Sequence, residues 1–433
     1  MPQLEDTKCS FLFCLGISIF ICSVIYLKAT GFDTPRAQSH LFTRRSFPQQ
    51  CQVLGHSRNE TAKWQSAQCH LDGYSSTSTL NCSYLWSNCR FINQTLSKEE
   101  EEYPLAFVIT IHKELETFAR LLRAIYAPQN VYCIHVDQKA TLGYRKSVEL
   151  LTGCFHNVFI ATQSEKVTYG GFSRLQADIN CMRDLLKSSV HWRKVINLCG
   201  QDFPIQSNLE LVRYMQSKEW RDRNMTPGVK QPQDKHYRTE FRYEARGSYM
   251  TKLSYKKGPP PQNLQIYFGT AYYSLTREFV EFALESSIAR DLLEWSEDTF
   301  SPDEHYWVTL NHLTDAPGSH IYGGWEGNIR AIKWRDQEGT EHNGCKGHYI
   351  REICIYGIDD IPWVISKQSM FANKFESETF PEALDCLEQW HRVKVLRQAA
   401  VPIQPGWHLA EVVDTCQHWN RTAGQTNNPL CTR

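Results

Sequence analysis

The spacing of apolar residues predicts alternating strands and helices from residue 104 onwards. Four apolar runs rich in β-branched and aromatic residues predict buried strands, at 106–111, 131–137, 158–162 and 194–198. Between them, apolar residues recur at helical spacing, in one set at Leu115, Phe118, Leu122 and Ile125 and in another at Leu175, Ile179, Met182 and Leu186. This alternation predicts an α/β fold with a mostly parallel sheet flanked by helices.

Two acidic residues follow predicted strands closely. Asp137 closes the second strand, and Asp202 comes just after the fourth. Because ligands of parallel sheets collect at the carboxyl ends of the strands, both are candidate binding residues. No GxGxxG motif follows the first strand, and the sequence contains no GxxxxGK[ST] motif. A dinucleotide-dependent dehydrogenase and a P-loop nucleotidase are therefore disfavoured.

An uncharged apolar run occupies residues 11–27. Its length of about 17 residues is at the short end of what can span a bilayer, and it lacks the small-residue cleavage site of a signal peptide. We expect a cytoplasmic tail at 1–10, an uncleaved signal anchor at 11–27 and a lumenal remainder. The charges conflict with this orientation, because Arg36, Arg44 and Arg45 lie on the lumenal side.

Five Asn-x-Ser/Thr sequons follow the apolar run, at Asn59, Asn81, Asn93, Asn224 and Asn420. Single sequons arise by chance, but five in one chain indicate N-glycosylation in the secretory pathway. Pro227, directly after the fourth sequon, disfavours its use. The sequons and the cysteines together favour the lumenal orientation over the charge pattern.

Composition supports a globular protein of an oxidising compartment. The 47 basic and 47 acidic residues balance, so nothing indicates a nucleic-acid partner. Thirteen of the sixteen cysteines follow the apolar run, and none forms a CxxC pair, which favours disulfides over a zinc site. An odd number leaves at least one thiol free or paired between chains. Cys199, inside an apolar run, is the candidate for a buried free thiol.

Composition also changes along the chain. The polar, sequon-bearing segment 28–100 predicts a stem, 101–395 the folded domain, and 396–433 a C-terminal tail. The second half of the domain is less regular than the first, with a buried strand predicted to run into a helix at 266–284.

The tetrapeptide Ser301-Pro302-Asp303-Glu304 permits two interpretations. With Ser301 as N-cap, Pro302 at the first helical position and Glu304 three residues after the cap, it matches a capping box. Glu304 would then only stabilise the start of its own helix. A carboxylate fixed at a helix start could equally serve as a general base, and the residues by themselves leave both interpretations open.

Arg351 and Lys374 are candidate anion-binding cations, although each alone is most simply a surface charge. An enzyme that uses a nucleotide sugar must neutralise the departing diphosphate, commonly with a metal held by an Asp-x-Asp motif. The chain has no Asp-x-Asp. If the substrate is a nucleotide sugar, two or more cations would have to replace the metal.

Five segments, in this order, resemble the core 2 family of β-1,6-N-acetylglucosaminyltransferases: YPLAFVITIHKELETFARLLRAIYAPQNVYCIHVDQK, SRLQADINCMRDLL, KVINLCGQDFPIQSNLELVR, FSPDEHYW and MFANKF. The match spans about 103–390. It implies a single-pass type II protein of the Golgi membrane with a GT-A-type fold and no metal or other cofactor. It further implies inverting transfer of GlcNAc from UDP-GlcNAc, in β-1,6 linkage, onto core 2-type O-glycans of glycoproteins.

The resemblance also implies roles for individual residues on the donor side. Glu304 matches the catalytic base, which would deprotonate the 6-hydroxyl of the acceptor; such a base is typically worth about 10²–10⁴ in rate. Arg351 and Lys374 match the cations that replace a metal at the diphosphate. Asp137 and Tyr169 match residues that hold the uridine end of the donor.

On the acceptor side, the resemblance is less complete. Lys235 and Arg238 match cations that face the acceptor, and Trp334 matches an aromatic residue that packs on the acceptor sugar. Asp336 stands where the family carries an aromatic residue, and the loop 219–234 does not align, so an acidic acceptor contact cannot be assigned there. The acceptor could therefore differ from Galβ1-3GalNAc.

The family pattern implies four disulfides, Cys51–Cys386, Cys89–Cys154, Cys133–Cys181 and Cys345–Cys354, with Cys199 free. Four cysteines remain, and we expect Cys69–Cys82 and Cys416–Cys431 as further pairs. Two other functions stay open: a catalytically weak Golgi protein that acts as a lectin or a partner of another transferase, and a transferase that uses another donor such as UDP-xylose.

Overall fold

The described part of the chain is built around a five-stranded sheet with helices on both faces. The computed structural model describes residues 82–327 and 329–409, all of which belong to one compact unit. The strands are β1 Leu105–Ile111, β2 Val131–Val136, β3 Val158–Ile160, β4 Lys194–Cys199, β5 Asp202–Pro204, β6 Gly228–Lys230, β7 Phe241–Arg246, β8 Tyr249–Lys256, β9 Tyr267–Gly269, β10 Ser274–Thr276, β11 Arg330–Ala331, β12 His348–Ile350, β13 Ile353–Ile355 and β14 Phe371–Asn373.

The α-helices are Cys82–Asn88, Lys98–Glu101, Leu115–Ile125, Leu142–Thr152, Phe172–Leu186, Asn208–Met215, Tyr237–Glu240, Arg277–Glu285, Ser287–Trp295, Tyr306–Leu310, Ile361–Ser366 and Pro381–Gln398. Short 3-10 helices span Gln233–Lys235, Pro261–Asn263, Ser296–Asp298, Pro302–Glu304, Arg335–Gln337, Ile358–Asp360 and Pro405–Trp407.

The central sheet has the order β10-β4-β1-β2-β3. β1 pairs in parallel with β2 and with β4, and β3 continues the sheet in parallel beyond β2. β10 pairs antiparallel with β4 at the opposite edge. β1 to β4 are the four predicted strands, and the predicted strand and helix at 266–284 become β9, β10 and the helix Arg277–Glu285. The mixed α/β class with a mostly parallel sheet is confirmed.

Both faces of the central sheet are buried because successive side chains of a strand point to opposite faces. Along β1, Phe107 and Ile109 belong to one apolar core, whereas Ala106 and Val108 belong to another. The helix Leu115–Ile125 contributes to the first core and the helix Phe172–Leu186 to the second. These are the two helices that the apolar spacing predicts, and burial on both faces is typical of a parallel sheet.

A smaller sheet and three two-stranded ribbons carry much of the candidate site. The small sheet has the order β11-β14-β5 and packs on a third core with the helices Ile361–Ser366 and Pro381–Gln398. The ribbons pair β6 with β9, β7 with β8, and β12 with β13, all antiparallel.

The two ends of the described chain pack on each other. Ile92 and Leu96 form a small apolar cluster with Leu396 and Trp407, and the amide of Ala400 donates to the carbonyl of Leu96 at 2.8 Å. The end of the predicted stem, before residue 101, is thus in contact with the start of the predicted C-terminal tail, after residue 395.

The structure contains three disulfides whose two cysteines are both among the described residues. Cys133–Cys181 and Cys345–Cys354 are bonded as the resemblance implies. Cys154 is bonded to Cys82, so the expected pairs Cys89–Cys154 and Cys69–Cys82 are wrong.

Two further described cysteines form disulfides with partners that the described residues do not include. Cys89 and Cys386 are disulfide-bonded, but Cys51, Cys69, Cys416 and Cys431 lie outside the described residues. Cys51–Cys386 and Cys416–Cys431 therefore stay predictions. Among the described residues, Cys199 is the free cysteine, as expected.

The structure excludes Asn224 as an accessible glycosylation site. Asn224 is 1% exposed, and its side-chain amide donates to Asn311 Oδ1 at 3.0 Å and to the carbonyl of Pro317 at 2.9 Å. Its Oδ1 accepts from the amide of Thr276 at 2.9 Å. The expectation of a glycan on Asn224 is wrong, because its nitrogen is buried and committed to two carbonyl oxygens.

Of the other four sequon asparagines, one lies among the described residues. Asn93 is exposed, whereas Asn59, Asn81 and Asn420 lie outside the described residues. Within 82–327 and 329–409, no helix has the length and apolar character needed to cross a membrane. The apolar run 11–27 is not part of the described chain.

Candidate active site

The carboxyl ends of the parallel strands form the first part of the site. Asp137 follows β2 and is 4% exposed; its Oδ1 accepts from the amide of Lys139 at 2.8 Å. His112 follows β1, and burial lowers its pKa, as do the charges of Lys113, Lys139 and Lys374, while Asp137 opposes them. Asp137 and Lys374 therefore lie near the same imidazole, as expected for two residues of one binding site.

Asp202, the second acidic candidate, has a structural role. Its carboxylate is fully buried and forms an ion pair with Arg330 at 3.2 Å. It also accepts from the side-chain amide of Asn373 at 2.9 Å and from the backbone amide of Cys199 at 2.8 Å. The expectation that Asp202 binds a ligand is wrong, because these three partners already occupy its oxygens.

Lys374 follows β14 directly, next to this buried cluster. Its neighbour Asn373 pairs with Asp202 in the β14–β5 register and donates to Cys199 Sγ at 3.2 Å. Lys374 itself is partly exposed, and its backbone contacts both the β13 residue Cys354 and Tyr356. The ammonium group is therefore carried on a strand end that is fixed from both sides.

Tyr169 and Arg351 are brought together from distant parts of the sequence. The guanidinium carbon of Arg351 lies 4.5 Å from the centre of the Tyr169 ring, and both side chains are exposed. Arg351 occupies the turn between β12 and β13 with a φ of 49°. The structure thus places two of the expected donor-binding residues in direct contact.

Glu304 does not form the capping box that its sequence permits. Ser301 adopts a left-handed conformation (φ 48°, ψ 60°), and its side chain makes no capping hydrogen bond. The carboxylate of Glu304 instead accepts a short hydrogen bond from Nη1 of Arg238. The capping interpretation is wrong, and the carboxylate faces the predicted acceptor-side cations.

Two backbone hydrogen bonds join the Glu304 turn to the rest of the site. The amide of Ser301 donates to the carbonyl of Gly170 at 2.7 Å, and the amide of Phe300 donates to the carbonyl of Arg238 at 2.9 Å. Gly170 has a φ of +69°, and a Cβ there would meet the Phe300 ring at 3.0 Å. The turn is therefore fixed between the segment that carries Tyr169 and the segment that carries Arg238.

The two cations expected on the acceptor side both act on Glu304, and Arg238 contacts it directly. The Arg238 guanidinium lies over the rings of Phe268 and Phe300, at 4.9 and 5.4 Å from their centres. Lys235 Nζ lies 6.0 Å from the centre of the Phe268 ring. Both cations lower the pKa of Glu304, but burial raises it by more, so its net shift is upward. Glu304 is a half-buried carboxylate in direct contact with the Arg238 cation.

Asp303 adds a second carboxyl group beside Glu304. Burial and, after it, the negative charge of Glu304 raise the pKa of Asp303 to about 7, against the opposing charge of Arg174. Arg174 itself is paired with Asp178 at 2.5 Å. Asp303 is thus more easily protonated than an ordinary aspartate, and a neutral Asp303 leaves the negative charge on Glu304.

Trp334 is connected through the backbone to the hairpin that carries Arg351. It forms an isolated bridge with Ile353 in β13, and the amide of Arg335 donates to the carbonyl of Glu352 at 2.9 Å. The ring is 37% exposed. The expected donor cation and the expected acceptor aromatic therefore belong to one local unit.

Sequence reasoning missed His112 and the two phenylalanines under Arg238. Phe300 could have been found, because it directly precedes the Ser301–Glu304 tetrapeptide. Phe268 could not, because its contact with Arg238 depends on how the β6–β9 ribbon packs.

One group of potential metal ligands occurs among the described residues, formed by Cys345, Cys354 and Asp360. The two cysteines are bonded to each other, and a disulfide sulfur is not the thiolate that a metal requires. The group is therefore a structural cluster.

Comparison with known proteins identifies the family. The family model described as Core-2/I-Branching enzyme matches residues 105–365. A Homo sapiens protein named "Probable beta-1,3-galactosyl-O-glycosyl-glycoprotein beta-1,6-N-acetylglucosaminyltransferase 7" is 55% identical over 335 residues, which cover 76% of this chain and 78% of that protein. The Sus scrofa protein of the same name is 47% identical over 423 residues, covering 94% and 97% of the two chains.

A relative with a different named acceptor is nearly as similar. The Homo sapiens "N-acetyllactosaminide beta-1,6-N-acetylglucosaminyl-transferase" is 51% identical over 323 residues, covering 74% of this chain and 80% of that protein. Both the extent of the family match and these identities lead to one conclusion. The chain belongs to the Core-2/I-branching enzyme family of glycosyltransferases.

Proposed function

We propose that this chain transfers GlcNAc from UDP-GlcNAc to the 6-hydroxyl of a sugar in a glycoprotein glycan, in β-1,6 linkage. The observation that supports this most is the backbone hydrogen bond from Ser301 to Gly170, at 2.7 Å. It joins the expected base, Glu304, to the segment that carries Tyr169, which contacts Arg351. The names of the relatives agree with the same reaction, and the mostly parallel sheet is consistent with a GT-A-type domain.

In the proposed mechanism Glu304 is the general base. Its carboxylate takes the proton of the acceptor 6-hydroxyl as O6 forms a bond to C1 of GlcNAc. The bond between C1 and the diphosphate oxygen breaks on the opposite face, so the configuration at C1 inverts and UDP leaves. Burial raises the pKa of Glu304, which strengthens it as a base, and Arg238 keeps the carboxylate oriented.

Arg351 and Lys374 would stabilise the negative charge that develops on the leaving diphosphate. They come from two separate elements, the β12–β13 turn and the end of β14. Fixed cations that face the leaving group stabilise the transition state without reorganising. We propose that they act without a metal, and that Asp137 and Tyr169 hold the uridine end.

The acceptor could be one of two classes. We expect a core 2-type O-glycan, which agrees with the name of the relative at 55% identity. An N-acetyllactosaminide is the second candidate, because the relative whose name gives that acceptor is 51% identical. A non-catalytic lectin role is not favoured, since the base and both expected cations are present.

We further propose that the chain is a single-pass type II protein of the Golgi membrane, anchored by residues 11–27. The apolar run and the sequons of the sequence support this location. Protease protection of the folded domain in intact Golgi vesicles, with loss of protection on adding detergent, would test the orientation.

The test of the reaction uses the full chain, purified in detergent from a secreting eukaryotic host. It is incubated with UDP-GlcNAc, EDTA and three acceptors: core 1, core 3 and linear poly-N-acetyllactosamine. Linkage analysis of the product should show a β-1,6 branch on at least one acceptor. Dependence on a divalent ion would contradict the two-cation proposal, and transfer from UDP-xylose in preference to UDP-GlcNAc would contradict the donor.

A further inference from the structure

A buried ion pair lies beneath the unit that carries Arg351 and Trp334. Nζ of Lys333 is 2.7 Å from Oδ1 of Asp360, and the two side chains are 1% and 0% exposed. Nζ also donates to the carbonyl of Gly344 at 2.7 Å. Because a buried charge is costly unless a partner compensates it, Lys333 and Asp360 must keep this paired geometry.

Asp360 holds both ends of the β12–β13 hairpin. Its carboxylate accepts from the backbone amides of Lys346 and Gly347, at 3.0 and 3.2 Å, before β12. It accepts from the amide of Gly357 at 3.0 Å, after β13. Four donors, counting Lys333, thus converge on one carboxylate and close the hairpin at its base.

Two further features make this base rigid. The disulfide Cys345–Cys354 crosses the hairpin. At Gly347 the two strands approach so closely that a Cβ would lie 2.0 Å from the carbonyl oxygen of Ile355. These contacts hold the two strands of the hairpin together at its base, next to the Lys333–Asp360 pair.

The same pair fixes Trp334 through the backbone. Lys333 directly precedes Trp334, and the carbonyl of Lys333 accepts from the amide of Cys354 at 3.0 Å. Trp334 then bridges to Ile353. At the far end of the hairpin, Arg351 reaches Tyr169. The buried Lys333–Asp360 pair is therefore connected both to Arg351, which is expected at the donor diphosphate, and to Trp334, which is expected at the acceptor sugar.

We infer that Lys333 and Asp360 are positioning residues that set Arg351 and Trp334 together, so that the donor and acceptor sides of the site are held by one unit. The inference rests on the proposed function, since it takes Arg351 as a donor cation and Trp334 as an acceptor contact. Neither Lys333 nor Asp360 touches a substrate. Their loss should weaken binding of donor and acceptor together, which loss of Arg351 or Trp334 alone should not do.

The test compares the full chain with two variants, Asp360→Asn and the double variant Lys333→Met with Asp360→Asn. The double variant leaves no uncompensated buried charge, so it should fold even where the single variant does not. Glu388→Gln is the matched control: Glu388 is similarly buried, but its ion pairs are with Arg120 and Arg123 of the helix Leu115–Ile125 and not with the hairpin. UDP binding is measured by calorimetry and the acceptor KM by initial rates, below the unfolding temperature of every variant.

The expected result is a rise of about tenfold or more in both the Kd of UDP and the acceptor KM for the two variants, because small misplacements of binding groups cost this much or more. Glu388→Gln should lower the unfolding temperature and leave both constants within twofold. If the two variants behave like Glu388→Gln, the pair is merely structural and the inference is overturned.

Arg351→Ala separates this inference from the proposed function. If Arg351→Ala loses UDP affinity but the two variants do not, only the positioning role fails. If Arg351→Ala binds UDP as the unchanged chain does, the donor assignment fails as well, and the inference is overturned with it.

Discussion

The guanidinium of Arg238 donates directly to the carboxylate of Glu304, across 66 residues of sequence. Arg238 is itself held between the rings of Phe268 and Phe300. The base that the family resemblance implies is therefore oriented by a residue that the same resemblance places on the acceptor side. If these expected roles hold, the contact links acceptor recognition to the protonation of Glu304.

Replacing Glu304 with glutamine should abolish transfer and leave UDP binding nearly unchanged. The amide keeps the size of the side chain but cannot accept the hydroxyl proton, so kcat should fall by about 10²–10⁴. Turnover and UDP calorimetry on the same preparation measure the two effects. Glu285→Gln, an exposed acid on a neighbouring helix, is the control, and substantial residual turnover in Glu304→Gln would remove Glu304 from the mechanism.

Replacing Arg238 with glutamine should shift the pH dependence of the reaction. Arg238 lowers the pKa of Glu304 against the effect of burial, so its removal should raise that pKa further. The base must be deprotonated to act, and the acidic limb of kcat/KM against pH should move to higher pH. Arg246→Gln, on the neighbouring β7–β8 ribbon, should leave the limb in place; a shift to lower pH in Arg238→Gln would contradict the assignment.

Replacing Asp303 with asparagine should flatten the dependence of stability on pH. Burial and the charge of Glu304 raise the pKa of Asp303 from 3.8 to about 7 in the folded chain. Between these values the folded state binds more protons than the unfolded state, so stability falls as pH rises from about 4 to 7. In Asp303→Asn, this decrease in stability between about pH 4 and 7 should be absent. Unfolding temperatures across this range, with exposed Asp291→Asn as control, provide the measurement, and an unchanged slope would contradict the raised pKa.

Replacing Lys374 with alanine should weaken donor binding more than it changes acceptor binding. Lys374 directly follows β14, and its charge lowers the pKa of His112 after β1; the diphosphate is proposed to bind there. The Kd of UDP should rise by about tenfold or more, since charged contacts to phosphate are among the stronger hydrogen bonds. Calorimetry measures the change, and the exposed Lys218→Ala is the control. An unchanged Kd would place the diphosphate elsewhere.

Replacing Asn224 with glutamine should lower stability without removing a glycan. The amide of Asn224 makes three hydrogen bonds in a buried position, and loss of such bonds costs about 1–3 kcal/mol for each unsatisfied group. The mass that glycosidase treatment removes should be the same as for the unchanged chain. Asn93→Gln, at an exposed sequon, should instead remove one glycan; a glycan missing from Asn224→Gln would contradict the buried position.

The sequence by itself determined the features that depend on near neighbours in the chain. The apolar runs produced β1 to β4, and the helical spacing produced Leu115–Ile125 and Phe172–Leu186, because periodicity decides which faces can be buried. The family resemblance also rests on contiguous segments of sequence. It identified Glu304, Arg351 and Tyr169 as candidate site residues without knowledge of their tertiary contacts.

Tertiary structure decided what depends on distant partners. Cys154 pairs with Cys82 rather than Cys89, because the packing of the helix Cys82–Asn88 brings the sulfur of Cys82 into bonding distance. Ser301 could cap a helix, but its hydrogen bond to Gly170 holds it in a left-handed turn that frees Glu304 for Arg238. Asn224 belongs to an Asn-x-Thr sequon, but its side chain is buried in the folded chain. In each case the local pattern allows two outcomes, and the contacts made by residues far along the chain select one.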